Sequence, residues 1–313
     1  MTHPTGEQFE LVTSTASGEL RATITAVAAG IRELSLDGVD LVPAFGADET
    51  PPMGAGIVLV PWPNRIRDGR WSHDGVEHQL AITEPARNTA IHGLLRYAEY
   101  RVLEREQDSV TLGATVYPQL GYPFLLATAV HYELVADGLR VTHYVENLGG
   151  EAAPVAIGAH PYLKIGDVPT DSLTLRLSAA SHFEVDDRLL PTGEVPVAGT
   201  DYDLRDGRPV GELNLDDGFG ETWADHASGL VEHTLTAPDG RSVAIVADDD
   251  FAFVQVYTSR AFPGEDGDTA IAIEPMTAPA EAFNTGKGLR LLGPGEQWET
   301  SWSIRFSGFA PRD

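Results

Sequence analysis

Three stretches of this chain repeat one device: an alternating apolar–polar run, an Asp-Gly pair, then a second alternating run. They are "RWSHDGVEHQLAI" (70–82), "HYELVADGLRVTHYVEN" (131–147) and "VEHTLTAPDGRSVAIVA" (231–247). Alternation with a period of two puts apolar side chains on one face of an extended segment. Asp-Gly supplies the positive-φ backbone that a tight hairpin requires, so each stretch predicts two antiparallel strands. "SVTLGATVY", "SLTLRLSAA", "FAFVQVYTS" and "ETSWSIRF" read as further strands, rich in β-branched and aromatic residues. No segment carries apolar residues at helical spacing over three turns. The fold class expected is all-β, a large antiparallel β-sandwich or barrel. The 32 glycines and 21 prolines are spread as turn punctuation and form no linker, so residues 1–313 are read as one domain. The recurring Asp-Gly turns are ordinary hairpin chemistry and do not make an internal repeat.

Charge and composition remove several function classes. With 47 acidic against 21 basic residues the net charge is −26, and only Lys164 and Lys287 among the basic residues are lysine. Such a chain repels phosphate backbones and anionic lipid, so neither nucleic acid nor a membrane surface is an expected partner. The absence of cysteine excludes disulfides, thiolate catalysis, iron–sulfur clusters and cysteine-type zinc sites. The N-terminal "MTHPTGEQFELVTSTASGEL" has no basic segment followed by an apolar core, and no run approaches membrane-spanning length. A soluble, cytoplasmic protein is expected.

Four segments interrupt the strand pattern with polar residues that neither a strand nor a turn demands. In "VLVPWPNRIRDGRW" (58–71), two prolines and Asn64 deliver Arg65 after an apolar strand. An arginine fork suits hydroxyls or a carboxylate, whereas Arg67 and Arg70 read as solvated turn residues. In "NTAIHGLLRY" (88–97), His92 precedes Gly93, where backbone or ligand can approach closely. A structural, hydrogen-bonded histidine is the plain alternative. "LNLDDGFGETW" (213–223) offers Asp216 and Asp217, at least one of which suits an Asx turn. In "DTAIAIEPMTAPAEAFNTGKGLRLLGPGEQWE" (268–299), Glu274 ends an apolar alternating run. A carboxylate there is either emerging into water or buried for a function, because an unpaired buried charge is costly.

A fifth stretch, "VAIGAHPYLKIG" (155–166), sets His160 against a proline in a mostly apolar run, with Tyr162 on the same side two residues later. His131 and His143 are expected at the surface or edge of their hairpin. His3, His73, His78, His226 and His233 are expected in turns or polar stretches. No His-Glu-x-x-His pattern, calcium loop or glycine-rich phosphate loop occurs, so no metal site is indicated. Histidine titrates near neutrality and can donate a proton; a partly buried glutamate can accept one. His160 as acid and Glu274 as base, with Asn64, Arg65, His92 and an Asp of the 216–217 pair as donors and acceptors, would suit a polyhydroxylated ligand. Trp62, Tyr162 and Phe219 are candidates to cover its apolar faces.

Taken in order, "PWPNRI", "AIHGL", "AHPYL", "LDDGF" and "IEPMTAPAEAFNTGKGL" resemble the motifs of the aldose 1-epimerases, or galactose mutarotases, over nearly the whole chain from about residue 20. The resemblance implies a large antiparallel β-sandwich whose concave face holds a sugar, and no cofactor. It implies Glu274 as general base, His160 as general acid, and His92 as a second active-site histidine that binds substrate and assists at the ring oxygen. Arg65 matches the arginine of the Asn-Arg-Ile segment. Asp216 matches the sugar-binding aspartate, with Asp217 a rival one residue away. Family members often carry aspartate where this chain has Glu281, and an aromatic where it has Leu163. The first difference is expected to shift a supporting contact, the second to reshape the pocket floor. Phosphate-recognising relatives need a cationic clamp that the sequence does not display.

The reaction implied is interconversion of α and β anomers of a free hexose such as galactose or glucose, by a monomer or homodimer with a small-molecule aldose as partner. The competing readings are a non-catalytic carbohydrate-binding or sensor protein on the same fold, and an epimerase or lyase acting on another sugar or sugar phosphate.

Overall fold

The structure is a computed structural model that describes residues 3–265 and 267–310. The three hairpins form where alternation places them. In the first, His73 pairs with Val76 and the two loop residues, Asp74 and Gly75, both have positive φ, 47° and 78°. That is the twist a two-residue hairpin needs. In the second, Val135 pairs with Gly138, so Ala136 and Asp137 make the loop and Gly138 begins the returning strand. Its glycine answers a different demand: a Cβ there would lie 1.9 Å from the carbonyl oxygen of Ile304.

Among the described residues nine strands form one large antiparallel sheet. The hairpin Leu126–Val135/Gly138–Asn147 lies beside the last long strand, Gln297–Ser307, which separates it from Ser242–Ala247 and Val231–Thr236. A second sheet runs in the order Pro191–Pro196, Ala179–Val185, Asp216–Thr222, Phe253–Ser259, Ala270–Met276, Gly158–Ala159, Val58–Leu59, with Tyr162–Leu163 also paired to Ala270–Met276. Leu126, Val130, Val141, Ile245 and Ile304 from the first sheet and Phe219, Val254, Val256, Ile271 and Ile273 from the second belong to one continuous buried cluster. Among the described residues the one α-helix is the four-residue Ala282–Thr285. Among the described residues no helix is long and apolar enough to cross a membrane. The fold is an all-β antiparallel sandwich.

Two histidines expected near the surface are interior. His143 is 3% exposed and its Nε2 accepts a hydrogen bond from Trp302 Nε1 at 3.0 Å; His233 is 2% exposed, with Nδ1 accepting from the Ser178 amide. Each sits in phase with the apolar residues of its strand, His143 between Val141 and Val145 and His233 between Val231 and Leu235, so the pleat carries both rings onto the core face. Trp62 and Phe219 are core residues as well, Trp62 packed edge-on to Phe283, and neither lines the cavity described next.

Candidate active site

The pleat of the second sheet builds the site. Ile271 and Ile273 point into the core, so Glu274 takes the opposite face. Its neighbour across the ladder is Gln255, and Gln255 is opposite Gly218 on the next strand. Asp216, two residues before Gly218, therefore shares the Gln255–Glu274 face. Asp217 projects the other way. The structure separates the two acids in this manner: Asp216 lines a cavity of about 260 Å³ with Asn64, Arg65, His92, His160, Gln255 and Glu274. Asp217 is bonded at 2.8 Å to His182, whose ring stacks on Tyr202.

His160 enters from the segment between Gly158–Ala159 and Tyr162–Leu163. Its amide donates to the Ile57 carbonyl, its carbonyl accepts from Gly56, and the Pro161 carbonyl accepts from Ile273. The backbone is pinned on both sides of the histidine, and the ring stacks on Tyr162, centroids 5.4 Å apart. Tyr162 lies behind the imidazole in a small apolar cluster with Phe45 and Phe262 and does not line the cavity. His160 Nε2 and Glu274 Oε1 are 3.3 Å apart. Burial raises the Glu274 pKa well above the usual carboxylate range, with Asp216 adding to the rise and Arg65 opposing it. Burial also pushes His160 down to about 4, helped by Arg96 and Arg65 and resisted by its own backbone. Both shifts disfavour charge, so burial favours two neutral partners holding one exchangeable proton over a separated ion pair.

Arg65 and His92 come from a two-stranded ribbon, Arg65–Arg67 against Thr89–Ile91. Asn64 and His92, at its end, both adopt left-handed backbone, φ 55° and 62°. Such a conformation is uncommon for histidine and is held by reciprocal bonds. The His92 amide donates to the Asn64 carbonyl at 3.0 Å, and the Asn64 amide donates to His92 Nδ1 at 3.2 Å. With Nδ1 as acceptor, the neutral ring carries its proton on Nε2. Burial, followed by His160, Arg96 and Arg65, holds the His92 pKa well below its ordinary value. Gly93 cannot be replaced here, since a Cβ would meet the Val60 carbonyl oxygen at 2.1 Å.

Sequence reasoning did not single out Glu84, Arg87, Gln255 or Tyr257, all of which line the cavity. Glu84 grips Arg65 through two bonds, Nε to Oε2 at 2.9 Å and Nη2 to Oε1 at 3.2 Å, and also accepts from Thr89 and Arg87. Burial opposes the Arg65 charge, but Glu84 and Asp216 outweigh it and raise the guanidinium pKa. Gln255 donates to Asp216 at 2.9 Å and accepts from Asn64 at 3.1 Å, fixing both. Glu281 is buried and accepts from the Arg67 amide, while its own amide donates to the Arg65 carbonyl, so it braces the ribbon from behind. Leu163 faces the core rather than the pocket floor. Arg67, expected in solvent, is half-buried and pairs with Asp186 and Glu281. One nitrogen from each of His92 and His160 and a carboxylate oxygen of Glu274 lie within 4.8 Å of one another, the spacing of a potential metal-ligand set. The three residues come from separate segments, so no local motif displays them.

Comparison with known proteins meets this geometry. The sequence profile described as aldose 1-epimerase matches residues 10–305. The chain is a member of the aldose 1-epimerase family. It is 36% identical over 292 residues to YihR of Escherichia coli, covering 93% of this chain and 92% of that protein. Human galactose mutarotase is 30% identical over 162 residues, 50% of this chain and 46% of the human one. Among solved structures, a galactose mutarotase-like protein from Clostridium acetobutylicum superposes with a TM-score of 0.82 at 19% identity, over 96% of this chain and 99% of that one. An aldose epimerase homologue from C. elegans gives 0.80 at 20% identity, over 96% and 99%. At those identities the structures show a shared fold.

Proposed function

We propose that this aldose 1-epimerase family member interconverts the α and β anomers of a free hexose, galactose or glucose being the first candidates, with Glu274 and His160 as the acid–base pair. The observation that carries the reading is their 3.3 Å separation inside a cavity sized for a single monosaccharide. Hydroxyl O1 and ring oxygen O5 of a pyranose are both bonded to C1. Groups that serve the two oxygens must therefore be neighbours, not walls on opposite sides of the sugar ring.

In the forward direction Glu274, as carboxylate, takes the O1 proton while protonated His160 gives its proton to O5. The C1–O5 electron pair goes to O5, the C1–O5 bond breaks, and O1 becomes the aldehyde oxygen. Rotation about C1–C2 offers the other carbonyl face. The steps then reverse, returning a proton to O1 and re-forming C1–O5. The resting pair already holds the one proton this needs; transfer from Glu274 to His160 generates the working acid and base. His92 Nε2–H is a fixed donor for a ring or hydroxyl oxygen. Arg65 and Asp216, held by Glu84 and Gln255, retain the open chain while it recloses.

The test is polarimetry on freshly dissolved α-D-galactose and α-D-glucose, corrected for spontaneous mutarotation. Glu274→Gln is expected to lose roughly 10²–10⁴-fold in rate, the usual worth of one acid–base group. His160→Asn should lower kcat with little change in KM. A Glu274→Gln variant as fast as wild type refutes the assignment of the base.

A further inference from the structure

Glu274 and His160 form a set of three with His92 that has the spacing of metal ligands. Among the described residues they are the one set of three histidine or acidic side chains whose donor atoms lie close enough to share an ion. Two imidazoles and a carboxylate are a donor set that zinc accepts, with bonds of roughly 2.0–2.2 Å in a tetrahedron. Bonds of that length at the tetrahedral angle place neighbouring ligands about 3.3–3.6 Å apart. His160 Nε2 and Glu274 Oε1 stand at 3.3 Å before any movement. Glu274 Oε2 is buried without a hydrogen-bond partner, so the carboxylate has no competing protein donor on that oxygen. Every ligand atom lies within 4.8 Å of the others, and ion binding draws His92 across the remaining gap to tetrahedral spacing.

We propose that His92, His160 and Glu274 form a reversible zinc-binding site that closes the sugar cavity to substrate. Two features make it an inhibitory site and not a resident cofactor centre. Metal-bound histidines usually donate their second nitrogen to an acceptor, but His160 Nδ1 is buried with no partner. Ligation through His92 Nε2 moves the ring proton to Nδ1 and deprives the Asn64 amide of its acceptor. Losing such supporting contacts weakens zinc sites by roughly 10–100-fold each, which predicts an ion that comes and goes. An ion held by these atoms occupies the space where O1 and O5 must sit, so metal and sugar exclude each other.

Cobalt(II) reports the site directly, because a tetrahedral complex absorbs strongly in the visible. Titration of the wild-type chain should give one such band per chain, bleached by added Zn²⁺. The band should weaken at least 10-fold in apparent affinity in Glu274→Gln and His160→Asn, with unchanged melting temperatures, and persist in His226→Ala, where an exposed histidine is removed. In the polarimeter, Zn²⁺ should slow mutarotation competitively with sugar, and EDTA should restore it. No band, or a band equally strong in Glu274→Gln and His160→Asn, overturns the proposal. The inhibition rests on the mutarotase reading, but the spectrum does not: a chain with the cobalt band and no catalysis keeps the site and loses the proposed activity.

Discussion

Burying His143 as a neutral ring should make this protein acid-labile by a calculable amount. The imidazole is 3% exposed and burial pushes its pKa down to about 3, whereas in the unfolded chain it returns to an ordinary value of about 6.5. Above pH 6.5 both states are neutral and the histidine costs nothing. As pH falls through the window from 6.5 to about 3, the unfolded chain takes up the proton first and stability drops by about 1.4 kcal/mol per pH unit. At pH 5 the loss from this one residue is about 2 kcal/mol, a sizeable part of the stability of an ordinary domain. Protonation at Nε2 would also break the bond from Trp302 Nε1. The perturbation is His143→Gln, whose amide oxygen can still accept that bond. Urea unfolding followed by tryptophan fluorescence at pH 7.5, 6 and 5 should show the variant up to about 1 kcal/mol less stable at pH 7.5. Between pH 7.5 and 5 it should lose about 2 kcal/mol less than wild type. Parallel stability–pH curves for the two proteins would refute the argument. His233, also pushed to about 3 by burial, with Arg176 contributing, predicts a second increment of the same sign.

The catalytic pH profile should carry the same signature: with His160 held down to about 4 chiefly by burial, kcat/KM should stay level through pH 6 and fall only as the pair gains a second proton near pH 4. An acid limb centred near 6.5, read by polarimetry corrected for buffer catalysis, would mean that His160 titrates as an exposed imidazole. Asp216→Asn and Asp217→Asn should part company, because their side chains leave opposite faces of the sheet. The first should raise KM by about tenfold at near-native stability, from loss of a charged hydrogen-bonding group in the cavity. The second should leave kinetics unchanged and lower stability by about 1–3 kcal/mol, measured by urea unfolding, through its buried bond to His182.

The hairpins and the fold class were legible in the residues, since alternation and turn chemistry are local signals. Asn64, Arg65, His92, His160 and Glu274 stood out as polar intrusions; their common setting was implied by the family resemblance, and all five line one cavity. What escaped depends on which strands become neighbours. Asp216 and Asp217 are equivalent until the pairing of Gly218 with Gln255 fixes the phase of the pleat. Gln255, in "FAFVQVYTS", reads as an ordinary solvent-facing strand residue. Its polar phase matters because the next strand carries Glu274. Glu84 sits in a proline-containing turn and acquires meaning only through Arg65. Aromatic character did not tell Trp62 and Phe219, which fill the core, from a sugar-facing ring. Tyr162 illustrates the same limit, being near the site in space yet behind the imidazole it was expected to accompany.

Glu274 stands on an interior strand of its sheet, laddered on one side to Phe253–Ser259 and on the other to the short segments around His160. Arg65, His92, Glu84 and Arg87 instead arrive on a ribbon and its turn outside that sheet. One cavity is thereby lined from two mountings: the sheet supplies Glu274, Asp216 and Gln255, and the ribbon with its turn supplies Arg65, His92, Glu84 and Arg87. The ribbon is hydrogen-bonded as a separate two-stranded unit, so a change in its turn leaves the ladder beneath Glu274 intact.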